Sequence, residues 1–408
     1  MSEDTDLTES EADAFRGKCR AFLEEHATGI PYRGPDPRGD QSLAAARTFQ
    51  KALAAAGLAG LTYPVEYGGQ GLTKAHERIY REEYAKFPDM TFQLTITHGM
   101  CLPMLAEYGS PEHKERFLAK NISAEELWCQ MFSEPGAGSD VASLQTRAEL
   151  DGEEWVINGQ KVWTTLAHQC DYGIAIARTD PTQPKHAGIS MFILDMRAPG
   201  VEIRPIHQID GGTHFNEVFF TDVRIPKDWL IGDLNNGWNL ATSMLMYERV
   251  AIGSGATSGV STTYADRLVE EARKLGRTGE PVLRQKLMRL YSEEFAKSLV
   301  SMRTRAELQA GKTPGPGGSL GKLHGARISR LMRDLTIEVV GLETDAWVEG
   351  DKGEQWGKSI LASFQASIAG GTDEIQKNII GDRVLGLPRD ISVDKGVAFN
   401  ELKVGTQG

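Results

Sequence analysis

The 408-residue chain is short of cysteine, with four, and of positive charge, with 45 Lys and Arg against 56 Asp and Glu for a net −11. No uninterrupted apolar run approaches the ~20 residues that cross a bilayer, so a helical membrane anchor is not expected. The acidic balance argues against a nucleic-acid surface and leaves room only for a local basic pocket. Cys19, Cys101, Cys129 and Cys170 show neither CxxC pairing nor metal-type spacing, which predicts reduced structural thiols and no metal site. The opening stretch MSEDTDLTESEADAFRGKCR is acidic where an export or organelle address is basic or apolar. A cytoplasmic protein is therefore the expectation.

What is present is a change of period. From Glu9 to about Ala124, apolar residues recur at three and four positions, with Gly/Pro loops between, which predicts a helical layer. Near Trp128 the period becomes two, through EWVINGQKVWTT, DYGIAIART, GISMFILDM, VEIRPI and NEVFFTDVRIP, with Asn158-Gly159 as a hairpin signal. Long helical patterns then return: about 238–275, 281–310, 320–342, 356–368 and 373–384. The expected organisation is α+β: an all-α domain over 1–125, a β domain over 126–236 and a helical bundle over 237–408. The piece AGKTPGPGGSLG reads as a turn between bundle helices.

Taken singly, the short motifs stay open. SEPGAGSDVAS, residues 133–143, lacks the Lys of a Walker loop and the third Gly of a dinucleotide fingerprint. It reads as a plain turn or as backbone that a ligand approaches. Trp163, Thr164 and Thr165 end a strand, where Trp fills a core or walls a flat cofactor. Glu248-Arg249 is a solvated pair, or an ionisable pair among apolar neighbours that has chemical work to do. His98 and His207 are read as structural or surface residues.

Read in order, SEPGAGSD, NGQKVWTT, GVEIRPI, NEVFFTDVRIPKDWLIGD and IAGGTDEIQKNIIGDRVLGLPRD resemble the acyl-CoA dehydrogenase family, along nearly the whole chain. The resemblance implies a helical domain, a central β-barrel and a C-terminal four-helix bundle, with FAD as cofactor and a homotetramer or homodimer as assembly. It implies that Gln130, Phe132, Ser133, Gly138, Ser139, Trp163, Thr164 and Thr165 line the flavin, with Ser139 also at the thioester arm of CoA. Thr372 and Glu374 match positions near the FAD diphosphate, with Glu in place of the usual Gln. Arg277 and Gln285 match the segment that reaches a neighbouring subunit's FAD, here without its Phe-Gly.

The same resemblance locates the base. Many members read Tyr-Glu-Gly-Thr where this chain reads Ala369-Gly370-Gly371-Thr372, so that carboxylate is missing. The branch acting on branched and long chains places its base in a Glu-Arg pair on the first bundle helix, and Glu248-Arg249 falls there. Glu248 is thus the expected base, with Arg249 and Gly371 at the substrate and the Gly370 N–H on the thioester carbonyl. The expected activity is α,β-dehydrogenation of an acyl-CoA, with electrons passing to an electron-transfer flavoprotein. The alternatives are a non-catalytic subunit of a heteromeric enzyme, or a flavin oxidase or monooxygenase on the same fold.

Overall fold

The computed structural model describes residues 7–27, 40–253, 263–309, 317–348, 350–389, 391 and 394–402. Side chains at 40, 41, 248–253, 305, 308, 309 and 352 lie outside that description. Two compact units result: 1–251 with 256–259 and 392–408, and 252–255 with 260–391.

In the first unit, helices α1 (Glu9–His26), α2 (Asp40–Ala55), α3 (Lys74–Tyr84), α4 (Leu102–Tyr108) and α5 (Pro111–Ile122) form the helical layer. Thr8 starts α1 through a capping box with Glu11, and Ser110 accepts from the His113 N–H at the head of α5. A π-helical turn, Thr97–Cys101, precedes α4; its Thr97 hydroxyl accepts from the Trp128 N–H at 3.0 Å. That bond ties the layer to the first strand, which begins at Trp128.

The strands are β1 (Trp128–Met131), β2 (Arg147–Asp151), β3 (Glu154–Thr165), β4 (Tyr172–Arg178), β5 (Ile189–Asp195), β6 (Val201–Ile206), β7 (Phe215–Pro226) and β8 (Leu230–Ile231). They form one sheet in the order β6-β7-β3-β2-β4-β5-β8, with β1 parallel to β4. β4 and β5 are apolar on both faces because both are covered. Ile174, Ile176, Met191 and Ile193 join the helical-layer core, while Ala175, Ala177, Phe192 and Leu194 join Ile157 and Val218 on the other side.

Helix α6 (Gly237–Gly253) packs Leu240, Ala241 and Met244 into the helical-layer core, with Tyr247 hydrogen-bonded to Glu107. The second unit holds α7 (Tyr264–Lys274), α8 (Pro281–Gln309), α9 (Gly317–Val340), α10 (Lys352–Ala362) and α11 (Asp373–Arg383). Leu268, Leu283, Leu287, Leu290, Met332, Leu335 and Trp356 form its core.

Three local expectations are corrected. Asn158-Gly159 is no hairpin: β3 runs through it with a register shift, and Gly159 is required because a Cβ there would stand 2.4 Å from the Thr146 hydroxyl. The turn falls instead at Gly152, φ 64, between β2 and β3. The single helix expected over 238–275 is two, since Thr263 is extended and caps a new start at Tyr264. The helix expected over 356–368 begins at Lys352 and tightens to a 3-10 turn over Ser363–Ser367.

Candidate active site

The site residues of the first unit sit at two adjoining places. Gln130 and Phe132 lie on and just after β1, followed by a tight turn in which Glu134 and Ala137 exchange both backbone hydrogen bonds at 3.0 Å. Gly136 and Gly138 stand on that turn and after it. A Cβ added at either would meet nothing within 4 Å, and neither has a positive φ. The fold's own packing therefore does not demand glycine there. The space in front of them leaves the backbone open to approach.

The second place is the end of β3, joined to the first by the Val162 N–H donating to the Ser133 carbonyl at 2.9 Å. The ladder to β7 shifts register between Lys161 and Thr164, and Trp163 adopts φ 61. A bulky residue in the left-handed region is costly, and the surrounding ladder holds it there. The bulge turns Trp163 outward to 57 % exposure, edge-on to Phe215, while Thr164 turns inward with its hydroxyl buried and unpartnered among the described residues. Thr165 follows, half-buried and paired with Phe215.

Sequence reasoning missed what holds these places together. Lys161, fully buried, donates to the Phe132 carbonyl at 3.0 Å and to the Glu134 carboxylate at 2.8 Å; Glu134 in turn accepts from the Gln145 and Thr146 N–H groups at 2.6 and 3.0 Å. Burial alone would raise the Glu134 carboxyl, yet Lys161 and these N–H donors hold it below its usual 4.5. Burial likewise presses Lys161 below 10.5 against the pull of Glu134. Counting by two from Trp155 through Ile157 reaches Lys161, so period two carried the signal that this lysine points inward.

In the second unit the decisive stretch is Ala369–Thr372. Gly370 and Gly371 take φ 67 and 86, a region closed to most side chains. At Gly371 a Cβ would also stand 2.6 Å from the Gln376 amide nitrogen. Gln376, buried, donates to the Gly370 carbonyl at 2.9 Å, and Thr372 caps α11 by accepting from the Ile375 N–H at 3.3 Å. Both glycine N–H groups are without an acceptor among the described residues. Asp373 is paired with Arg330 at 2.6 Å, and Glu374 is exposed. Together with the helix start, the free N–H groups suit an anion or a polarised carbonyl.

The remaining expected residues lie elsewhere or outside the description. Arg277 is engaged within its own unit, donating to Glu280 at 2.7 and 2.9 Å and to the Glu338 and Val339 carbonyls. Gln285 is exposed on α8. Glu248 and Arg249 are on α6, directly after Tyr247, and their side chains are outside the described residues. His98 Nε2 donates to the Asn121 carbonyl at 2.8 Å, and burial brings its pKa down to about 4, so it is a neutral structural residue. His207 is exposed. The four thiols are free and buried. Among the described residues no group of three or more His, Cys, Asp or Glu is placed to hold a metal ion, and no helix is long and apolar enough to cross a membrane.

Residues 9–125, 129–223 and 235–385 match the N-terminal, middle and C-terminal domains of acyl-CoA dehydrogenases. The acyl-CoA dehydrogenase IpdE1 of Mycobacterium tuberculosis is 38% identical over 387 residues, covering 93% of this chain and 99% of that protein. Among solved structures, the Tcur3481-Tcur3483 steroid ACAD aligns with TM-score 0.76 and 28% identity, over 95% of this chain and 100% of that one. The ChsE4-ChsE5 complex from Mycobacterium tuberculosis aligns with TM-score 0.74 and 28% identity, over 95% and 100%.

The chain belongs to the acyl-CoA dehydrogenase family. As a member of that family it is an oxidoreductase that uses FAD on an acyl-CoA thioester. Each unit by itself carries features that fit part of that cofactor: in the first, an outward Trp163, glycines at 136 and 138 that no packing requires, and a buried Thr164 hydroxyl without a partner among the described residues; in the second, a capped helix start after two glycine N–H groups without an acceptor among the described residues.

Proposed function

We propose that this enzyme dehydrogenates a bulky, ring-bearing acyl-CoA to its trans-2-enoyl thioester, with Glu248 as base, and passes the electrons to an electron-transfer flavoprotein. The observation that carries the base assignment is the loop at 369–372. Its two positive-φ glycines leave no carboxylate there. Glu248, in the Tyr-Glu-Arg stretch of α6, then takes the Cα proton while a hydride leaves Cβ and the Cα–Cβ double bond forms. Bound FAD supplies the hydride acceptor. The Gly370 N–H donates to the thioester carbonyl, where charge develops, and loss of such a donor costs about 2.7–4 kcal/mol in catalysis. Gln130, Phe132, Ser133, Gly138, Trp163, Thr164 and Thr165 hold the flavin ring, Thr372 and the start of α11 its diphosphate, and Ser139, Arg249 and Gly371 the acyl-CoA.

Anaerobic titration with acyl-CoA tests the base. Glu248→Gln retains the yellow flavin and loses bleaching by about 10²–10⁴-fold in rate, and Glu248→Asp recovers part of it. Full bleaching by Glu248→Gln sinks the assignment.

The substrate class rests on Ala369, which leaves more room than the Tyr of many members, and on the likeness to a solved steroid ACAD. A panel of short, long, branched and ring-bearing acyl-CoAs, ranked by bleaching rate, checks it; fastest turnover of a straight short chain would overturn it.

A mixed assembly with a second chain of the same fold is favoured over a homotetramer. Two similar structures are of two-component proteins. On α8, moreover, Met288, Tyr291, Phe295, Leu299 and Met302 recur at three and four positions and are 43–62 % exposed. Such a stripe asks for a protein partner. Light scattering on the chain expressed alone decides: a fully flavinated tetramer of one chain type rules the mixed assembly out.

A further inference from the structure

The tail of the chain returns to the first unit and grips it at a defined place. Residues 394–402 lie along the β4–β5 connection: Ala398 bridges Pro184, the Phe399 N–H donates to the Gln183 carbonyl at 2.8 Å, and the Asn400 N–H to the Pro181 carbonyl at 3.0 Å. Lys185, largely buried, joins Asp394 at 2.6 Å and Asp140 at 3.0 Å. The Phe399 ring, 6 % exposed, lies 3.6 Å from the centre of the Arg178 guanidinium. Arg178 donates to the Lys185 and Ala142 carbonyls, both at 2.6 Å.

Followed outward, these contacts end on the segment directly after Ser139. Asp140 is held by Lys185 and accepts from the Ser143 hydroxyl at 2.5 Å, and Ala142 is held by Arg178. The turn before it owes its order to Lys161 and Glu134, but Ser139 itself is exposed and stands between the two systems. A stacked guanidinium with fixed acceptors holds geometry well, because the planar fork loses little further freedom.

We propose that residues 394–402 act as a strap that sets the position of Ser139, which makes Phe399, Arg178 and Lys185 positioning residues for acyl-CoA binding. The inference rests on the reading of Ser139 as a substrate contact. The strap acts through Ser139 and touches no reacting atom, so it affects binding of the thioester arm and not the proton or hydride step.

The test uses the full-length holoenzyme. In Phe399→Ala, KM for acyl-CoA rises about 3–10-fold while kcat stays within about twofold, because binding common to ground and transition states is lost. FAD content is retained. The Ser143 and Leu144 amides, bonded to the Asp140 and Val141 carbonyls at 3.0 and 3.2 Å, exchange hydrogen faster by about tenfold. Phe399→Tyr, which keeps the ring over Arg178, behaves as wild type in both readouts. Should Phe399→Ala not fold, Asp394→Asn carries the same test with a KM change of about threefold. Unchanged exchange at Ser143 and Leu144, or a kcat loss with KM constant, overturns the strap. Ser139→Ala separates the underlying reading: if it leaves KM unchanged while Phe399→Ala still speeds exchange, the strap stands and the substrate role of Ser139 falls.

Discussion

The turn at 133–139 and the loop at 369–372, both proposed to meet ligand through their backbone, are shaped by opposite means. The first is held from below by a buried ion pair, Lys161 with Glu134, and its glycines are free of steric demand. The second has its buried carboxylate, Asp373, beside it on the first turn of α11, paired with a partly exposed Arg330 at 2.6 Å, and not under the glycines themselves. It is shaped by two positive-φ glycines, a Thr372 cap and one Gln376 amide. A charged anchor concentrates the cost of failure in one side chain. A backbone-shaped loop spreads it over several weak constraints.

That contrast sets the expected order of effects. Lys161→Met should be the most damaging, because it leaves the Glu134 carboxylate buried and unpaired; about 3–5 kcal/mol of stability is lost, with FAD release, as read by denaturant unfolding and flavin fluorescence. A loss under about 1 kcal/mol would show the pair to be incidental.

Acid probes the same anchor. Glu134 is held below its usual 4.5, so its contribution is complete above 4.5 and disappears as pH falls through the lowered folded value. The wild-type enzyme should keep its flavin at the ordinary carboxylate pKa and lose it only at more acid pH. Glu134→Gln, in a stability series across about pH 3–6, should lack that acid limb.

In the loop, Gly371→Ala should cost about 1–2 kcal/mol for the left-handed backbone, plus the displacement of Gln376, with thermal unfolding as the measure. Thr372→Ala should cost about 1 kcal/mol through the lost cap. If either loop substitution proved as destructive as Lys161→Met, the two regions would not differ in the way the geometry indicates.

Much of the fold was legible in the sequence because period follows burial. The helical layer, the strands and the bundle helices announced themselves by spacing of three to four and then of two. Local turn chemistry misled at Asn158-Gly159, where β7 and Thr146 crowd the strand and a bulge replaces the turn. The new start at Tyr264 was missed although Thr263, with Asp266 three residues on, is a capping-box signal. The strap was not legible, since Phe399 and Arg178 are neighbours only after the chain has returned to β4.

The sequence by itself determined the order of helix, strand and helix, the family, FAD, and the absence of a carboxylate at 369–372. The element order and the missing carboxylate follow from residue type and spacing, which no packing can alter, while the family and FAD follow from the likeness that its ordered motifs carry. Tertiary structure alone decided which way Trp163 and Thr164 face. Period two places Trp163 in the core, and the register shift against β7 reverses it, exposing the indole and burying the hydroxyl. A strand's inside and outside are set by the partner it pairs with, and a single extra residue exchanges them.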